Sequence, residues 1–380
     1  MKVLLLDTAF AAAPVYDGLI HAGHEVWVMG NRAQDLLAAK AGGNWIEQDY
    51  SQVAAVIAHI RRLGIERVVP GCTDLSMDTC LQLGVTPDLM DSPETNAVLA
   101  NKQAFRGLCR RLDLPAPQMQ PPGSFPRAGR YICKPVNAFS GRGITIFDGQ
   151  DRAALDAAIA FATSASPTGE WLIESFAQGE LYSCSGFVEG GKFQQVFYVR
   201  EGSSANPFAV DTSYLVRDMP KACTELLEAS LEKICAALSL KDGLLHTQFL
   251  MDGETPHIVE VSRRCPGDLY SMLIEYSSGT KYAARYASYY TGKPLDTRSD
   301  REKFILRHTV TSTKTDVYGG LEFDTPANVR AFYPLQIVGQ TLLENQKSRA
   351  GILFTQSQTY DALISEHHRF LNRSAYKVAW

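Results

Sequence analysis

Two neighbouring segments near residue 250 carry side chains whose types and spacing could hold a divalent cation and steady a phosphoryl group. Gln248 lies on one expected strand, residues 244–251, and Glu260 on the next, residues 257–261, with Asp252, Gly253 and Glu254 as the turn between them. In antiparallel register the two side chains can face one point. Magnesium asks for near-octahedral oxygen ligation, commonly one or two carboxylates plus phosphates and water, which Glu260 and Gln248 can begin to supply. Glu260 and Ser262 share a strand face by the two-residue period. Arg263 and Arg264 then place positive charge where the oxygen-rich transition state of phosphoryl transfer needs it. Taken alone, the same pattern also fits an exposed hairpin with a basic end.

Three further stretches add to it. Lys102 and Lys134 are lysines on separate elements, the second followed by Pro135 and by a glycine-bearing turn over 137–143. That turn includes Ser140, Gly141 and Gly143, and its backbone N–H groups could close over phosphates. Glu174 and Glu180 flank Phe176 and Ala177, a spacing that could offer backbone groups to an adenine edge and a carboxylate to ribose hydroxyls. For substrate contact the candidates are Arg217, Arg264 and Asp268, with Arg200, the loop 203–206 and Tyr270 in the same region. His246 is a candidate base, although a satisfied structural histidine is the plainer role. No Gly-x-x-x-x-Gly-Lys-Ser/Thr loop and no protein-kinase triplet is present, so any nucleotide site must be built otherwise.

The elements that must position these residues begin with apolar runs at 2–7 and 24–30 around an Ala-rich helical stretch. A helix over 52–63 and a strand at 67–71 repeat the pattern, which predicts a doubly wound parallel sheet over the first ~95 residues. The Gly-x-Gly-x-x-Gly turn of dinucleotide-binding sheets is absent, with Asp7, Thr8, Ala9 and Phe10 in its place. Ser92, Pro93 and Glu94 read as a helix start. Beyond them come a hairpin near 131–147, helices over 151–162 and 221–238, and the paired strands that carry Gln248 and Glu260. The last stretch, 296–380, reads as β-rich with one helix over 359–371.

Bulk properties narrow the class further. With 380 residues the chain exceeds one ordinary core, so two or three domains around a cleft are expected. No apolar run approaches the ~18 residues of a membrane span. The first residues reach a carboxylate too soon for a signal peptide, which predicts a cytoplasmic protein. The eight cysteines show no metal-ligand spacing and read as reduced, buried thiols. A net charge of −4 offers no electrostatic footprint for nucleic acid.

The ordered set of a lysine, a Lys-Pro strand, a glycine turn, a Glu-x-Phe-x-x-Gly-Glu hinge and a Glu-x-Ser-x-Arg strand resembles the ATP-grasp superfamily, most closely its carboxylate-amine (L-amino-acid) ligase branch. The resemblance implies an α/β fold: a doubly wound N-terminal domain over 1–95, an α+β ATP-grasp domain over 96–295, and a small β-rich closing domain over 296–380. It implies ATP, with one or two Mg2+ ions, and small-molecule carboxylate and amine substrates. A homodimer is left open. By the same resemblance Lys102 and Lys134 contact phosphates and the 137–143 turn is the mobile loop above them. Glu174, Phe176 and Ala177 form the adenine hinge, and Glu180 binds ribose. Glu260 is the central magnesium carboxylate, and Arg264 lies near the transferred phosphate. Two positions depart from the family: Gln248 stands where an acid is usual, and Ser262 where Asn is. Both add oxygen but no charge, which should weaken a second ion, and Asp268 could compensate. The implied reaction activates a carboxylate as an acyl phosphate and joins it to an amine. A carboxylase acting through carboxyphosphate and a non-catalytic nucleotide-binding regulator are the alternatives.

Overall fold

Val3 to Leu6 are fully buried, as an apolar run must be when helices cover both faces of a parallel strand. In the computed structural model, which describes residues 1–137, 141–297, 299, 301–345 and 347–380, this strand (Lys2–Leu6) sits inside a four-stranded parallel sheet. The order is Trp45–Glu47, Glu25–Gly30, Lys2–Leu6, Arg67–Pro70. Asp7, at the end of the first strand, accepts hydrogen bonds from the Cys72 N–H at 3.0 Å and the Ala9 N–H at 2.9 Å. With the glycine turn absent, Asp7 holds this end of the strand by its side chain. It also ties down the loop that runs through Thr73 into the helix Asp74–Leu83, whose first turn Thr73 caps.

A second, eight-stranded sheet is antiparallel throughout. Its order is Thr255–Ser262, Gly243–Asp252, Glu180–Glu189, Lys192–Gly202, Thr212–Leu215, Phe304–Val310, Gly351–Ser357, Val329–Pro334. The C-terminal region therefore extends the central sheet with three strands, and adds two small two-stranded sheets and the helix Tyr360–Leu371. One face of the sheet packs on the helix Lys221–Leu238 through Leu227, Leu231, Phe249, Ile258 and Val261. The other packs on Tyr270 and Tyr282 from the helices Tyr270–Ser278 and Tyr282–Tyr290. A three-stranded antiparallel sheet, Thr145–Asp148, Arg130–Pro135, Trp171–Ser175, is backed by the helix Arg152–Ala165 and is tied to the strand Thr255–Ser262 through Arg106, which bonds both Glu174 and the Val259 carbonyl. No helix is long and apolar enough to cross a membrane among the described residues.

Candidate active site

Asn101 caps the helix Lys102–Arg111 by accepting from the Ala104 N–H, which fixes Lys102 in the first turn. The Lys102 ammonium points at the Val136 carbonyl, 3.5 Å away, at the end of the Lys-Pro strand. Burial lowers its pKa, and the charge of Glu260 opposes that shift. One helical turn on, Arg106 reaches under the same strand. Its Nε donates to Glu174 Oε1 at 2.5 Å, while Lys134 Nζ donates to Glu174 Oε2 at 2.6 Å. Glu174 is fully buried. Burial would push its carboxyl up, but the charges of Lys134 and Arg106 outweigh burial and hold it below the usual carboxylate range. The side chain of Glu174 is thus the centre of an ion triad that orients Lys134.

Of the glycine turn, Ser140 lies outside the described residues, and Gly141 and Gly143 can be placed. Both have φ of +71°. A Cβ at Gly141 would stand 2.6 Å from the Phe208 Cβ and 2.9 Å from its carbonyl oxygen; one at Gly143 would stand 2.5 Å from the Ala165 Cβ. Only glycine meets both the left-handed backbone and the space. In the hinge stretch, the Phe176 N–H donates to the Arg130 carbonyl at 3.0 Å, and the Arg130 guanidinium stacks over the Phe176 ring at 4.6 Å. Ala177 follows, half-buried. Glu180 is exposed, with one carboxylate oxygen 2.7 Å from Arg200 Nη2 and the other accepting from Tyr182 at 3.2 Å.

The register pairs Gln248 directly with Glu260, and a β-bulge falls between this pair and the next, Phe249 with Ile258. Val259 is the extra residue. In a regular strand Ile258 and Glu260 would share a face; the bulge breaks that phase, so Ile258 and Val261 enter the core while Glu260 is exposed. The freed Val259 carbonyl accepts from Arg106 Nη2 at 2.8 Å, so one arginine holds both the bulge and the Lys134–Glu174 pair. Glu260 is exposed and makes no hydrogen bond or ion pair among the described residues. Gln248 donates its amide to Glu201 Oε2 at 2.5 Å, leaving its own carbonyl oxygen without a donor among those residues. An unpaired carboxylate beside an unpaired amide oxygen is a donor set that fits Mg2+. Ser262 accepts from the Arg264 N–H at 3.3 Å.

Arg264 meets Asp74 of the N-terminal unit through Nε at 2.6 Å and Nη2 at 3.3 Å, and lies near enough to Glu260 to feel its charge. Arg263 points the other way. It is buried, pairs with Asp91 at 2.7 Å and donates to the carbonyls of Leu244 and Lys241, so it braces the sheet instead of facing a phosphate. Asp268, with φ of +54°, lies between Arg307 (3.4 Å) and Arg349 (2.5 Å). Arg217 is exposed, 3.7 Å from Glu302, and its backbone N–H donates to Tyr360. His246 is buried against Tyr270 and faces Ser185, and burial with the charge of Arg264 lowers its pKa to about 3. A neutral structural histidine fits this environment.

The residues that sequence reasoning passed over are Arg106, Asp74, Glu201, Arg307 and Arg349. Two had a signal. Arg106 lies four residues after Lys102 on one helix face. Glu201 continues the buried phase of Phe197 and Val199 along its strand.

The sequence matches no protein-family model and no curated protein. Its fold matches solved structures over essentially the whole chain. Phosphoribosylglycinamide synthetase from Anaerococcus prevotii superposes with a TM-score of 0.77 at 13% identity, covering 100% of this chain and 99% of that one. L-amino acid ligase from Bacillus licheniformis gives 0.78 at 15%, covering 100% and 98%. The biotin carboxylase domain of 2-oxoglutarate carboxylase from Hydrogenobacter thermophilus, a dimer solved with MgADP, ADP and bicarbonate, gives 0.74 at 13%, covering 100% and 90%. At such identities the likeness establishes architecture, and the chemistry has to come from the residues.

Proposed function

We propose, from the premise that this chain has the ATP-grasp fold, that it is an ADP-forming ligase that activates a small carboxylate as an acyl phosphate and joins it to an amine. One observation carries the reading. At the edge of the large sheet Glu260, paired in register with Gln248, lies near enough to Lys102 and Arg264 for both cations to feel its charge. That is the arrangement needed to hold a metal-bound triphosphate and neutralise charge on its terminal group.

Glu260 and Gln248 would hold Mg2+, which when bound withdraws charge from the phosphate oxygens. Lys102 and Lys134 approach the phosphates from the side of the small sheet, with Lys134 aimed by Glu174. Gly141 and Gly143, in a left-handed backbone that only glycine fits, would let the chain there approach the triphosphate closely and keep water from the acyl phosphate. Glu180, held by Arg200 and Tyr182, would offer its exposed carboxylate to the ribose. Arg264, anchored on Asp74, presents its guanidinium to the oxygens of the group in transfer. The substrate carboxylate would lie toward Asp268 and its two arginines, with Arg217 farther out as a candidate for the second substrate. Positioning and charge supply most of the rate, so no general base is assigned. An amino acid is the preferred acid, because the motif order is nearest to that of amino-acid ligases and one such enzyme shares the fold over its full length.

Phosphate release scanned over pairs of amino acids, with bicarbonate as a separate arm, tests this. Amine-dependent release that Glu260→Gln abolishes is the expected result. Release that depends on bicarbonate would move the chain to the carboxylases, and ATP binding without release across the whole panel would make it a nucleotide-binding regulator.

A further inference from the structure

Position 248 is neutral in a metal edge that otherwise has a single carboxylate, Glu260, yet a buried carboxylate stands beside it. Glu201 reaches Gln248 across the intervening strand Glu180–Glu189, and its Oε2 accepts from Gln248 Nε2 at 2.5 Å. Glu201 is only 4% exposed, and it makes no ion pair among the described residues. Its other supports are the Ser183 hydroxyl and the nearby charge of Arg307, whose own direct partners are Asp268, Ser213 and Thr309. A buried carboxylate with donors but no paired cation is costly to keep. It therefore calls for a role beyond packing.

We infer that Glu201 is a positioning residue of the metal edge: from two strands away it accepts from the Gln248 amide and so locks that amide with its carbonyl oxygen turned out. The logic is one of donors and acceptors. With Glu201 Oε2 accepting from Nε2, the amide turns its NH2 toward Glu201 and its oxygen away. Freed from that constraint, the amide could rotate and offer NH2 to a cation, which repels it. The bulge at Val259 serves the same end by turning Glu260 toward the amide oxygen that Glu201 has exposed. This inference rests on reading Glu260 and Gln248 as the metal edge.

Mn2+ serves as the probe, with free ion measured by electron paramagnetic resonance in the presence of ADP on the full chain, and ADP affinity measured separately without metal. Glu201→Gln should weaken Mn2+ binding by roughly 10–100-fold, the usual effect of losing an outer partner of a metal ligand. ADP affinity without metal should stay the same. Combining Glu201→Gln with Gln248→Glu should restore Mn2+ binding to within about threefold, since a carboxylate at position 248 presents an oxygen whichever way it turns. Should Glu201→Gln fail to fold, Gln248→Met in the unaltered background must show the same loss. Unchanged Mn2+ affinity in Glu201→Gln, or no recovery in the double variant, overturns the inference while leaving the proposed function intact. If the unaltered chain binds ADP but no Mn2+, the metal edge and the inference fall together.

Discussion

The Lys134 ammonium lies 2.6 Å from Glu174 Oε2, and the second oxygen of the same carboxylate is taken by Arg106. All three groups are buried, so the triad is a rigid mount for Lys134 and not a surface contact. Glu174→Gln would keep acceptor capacity at that position but leave two buried cations around a neutral amide. Loss of one partner from a buried ion pair costs about 3–5 kcal/mol, and the retained hydrogen bonds place this variant near the lower end. The expected result is a lower urea midpoint together with weaker ATP binding. A variant as stable as the parent would show that the triad does not hold the small sheet in place.

Gly141 and Gly143 make a second, separable prediction. Gly143→Ala adds a methyl against Ala165 and Pro135 in a left-handed conformation, so a loss of at least ~1 kcal/mol of stability is expected. Gly141→Ala presses instead on the backbone of Phe208, which would shift the turn that the proposed function sets over the phosphates. Its fold should survive while turnover drops, by as much as ~10²-fold for a displacement of about 1 Å. Thermal melts and steady-state phosphate release on both variants would separate the two effects, and equal melting with equal turnover would refute both.

Much of this architecture was legible in the sequence because its signals are local. The helix read at 221–238 is found as Lys221–Leu238, and the hairpin that opposes Gln248 and Glu260 follows from two apolar strands and an Asp-Gly turn. What stayed hidden depends on contacts distant along the chain. Val259 looks like any β-branched strand residue, and only the pairing of two strands reveals it as a bulge. The spacing of Glu174 suggested a hinge; that its side chain is taken up by Lys134 and Arg106 depends on residues 40 and 68 positions away. The pairing of Gln248 with Glu201 spans 47 positions and has no periodic signature at all.

The Arg264–Asp74 pair joins the sheet that carries Glu260 to the N-terminal unit across 190 positions. Both side chains keep some solvent contact, 23% and 34%, so the pair is worth less than ~1 kcal/mol to stability. Its expected value lies in aim. Arg264→Lys keeps the charge but loses the two-pronged grip on Asp74, and should lower the single-turnover rate while ATP affinity changes little. A loss confined to ATP affinity would place Arg264 in ground-state binding instead.

Three buried histidines set the response of the fold to acid. Burial lowers the pKa of His246, His308 and His367 to about 3 each, against an ordinary 6.5. A histidine with a depressed folded pKa gains a proton on unfolding, so acid favours the unfolded chain. Its contribution is intact above pH 6.5 and is lost progressively toward pH 3, at about 1.4 kcal/mol per pH unit for each group. Stability by urea denaturation should therefore fall from pH 7.5 to pH 5, by about 2 kcal/mol for each histidine. Carboxylates also respond in that range, so one variant is needed to isolate the effect. His367 suits it, because its Nε2 has no hydrogen-bond partner among the described residues and its ring stands edge-on to Tyr214 at 4.9 Å. His367→Phe keeps a ring in that place and removes the titration, and its loss of stability between pH 7.5 and pH 5 should be smaller than the parent's by about 2 kcal/mol. Parallel losses in the two proteins would mean that His367 is protonated, or reached by water, in the folded chain.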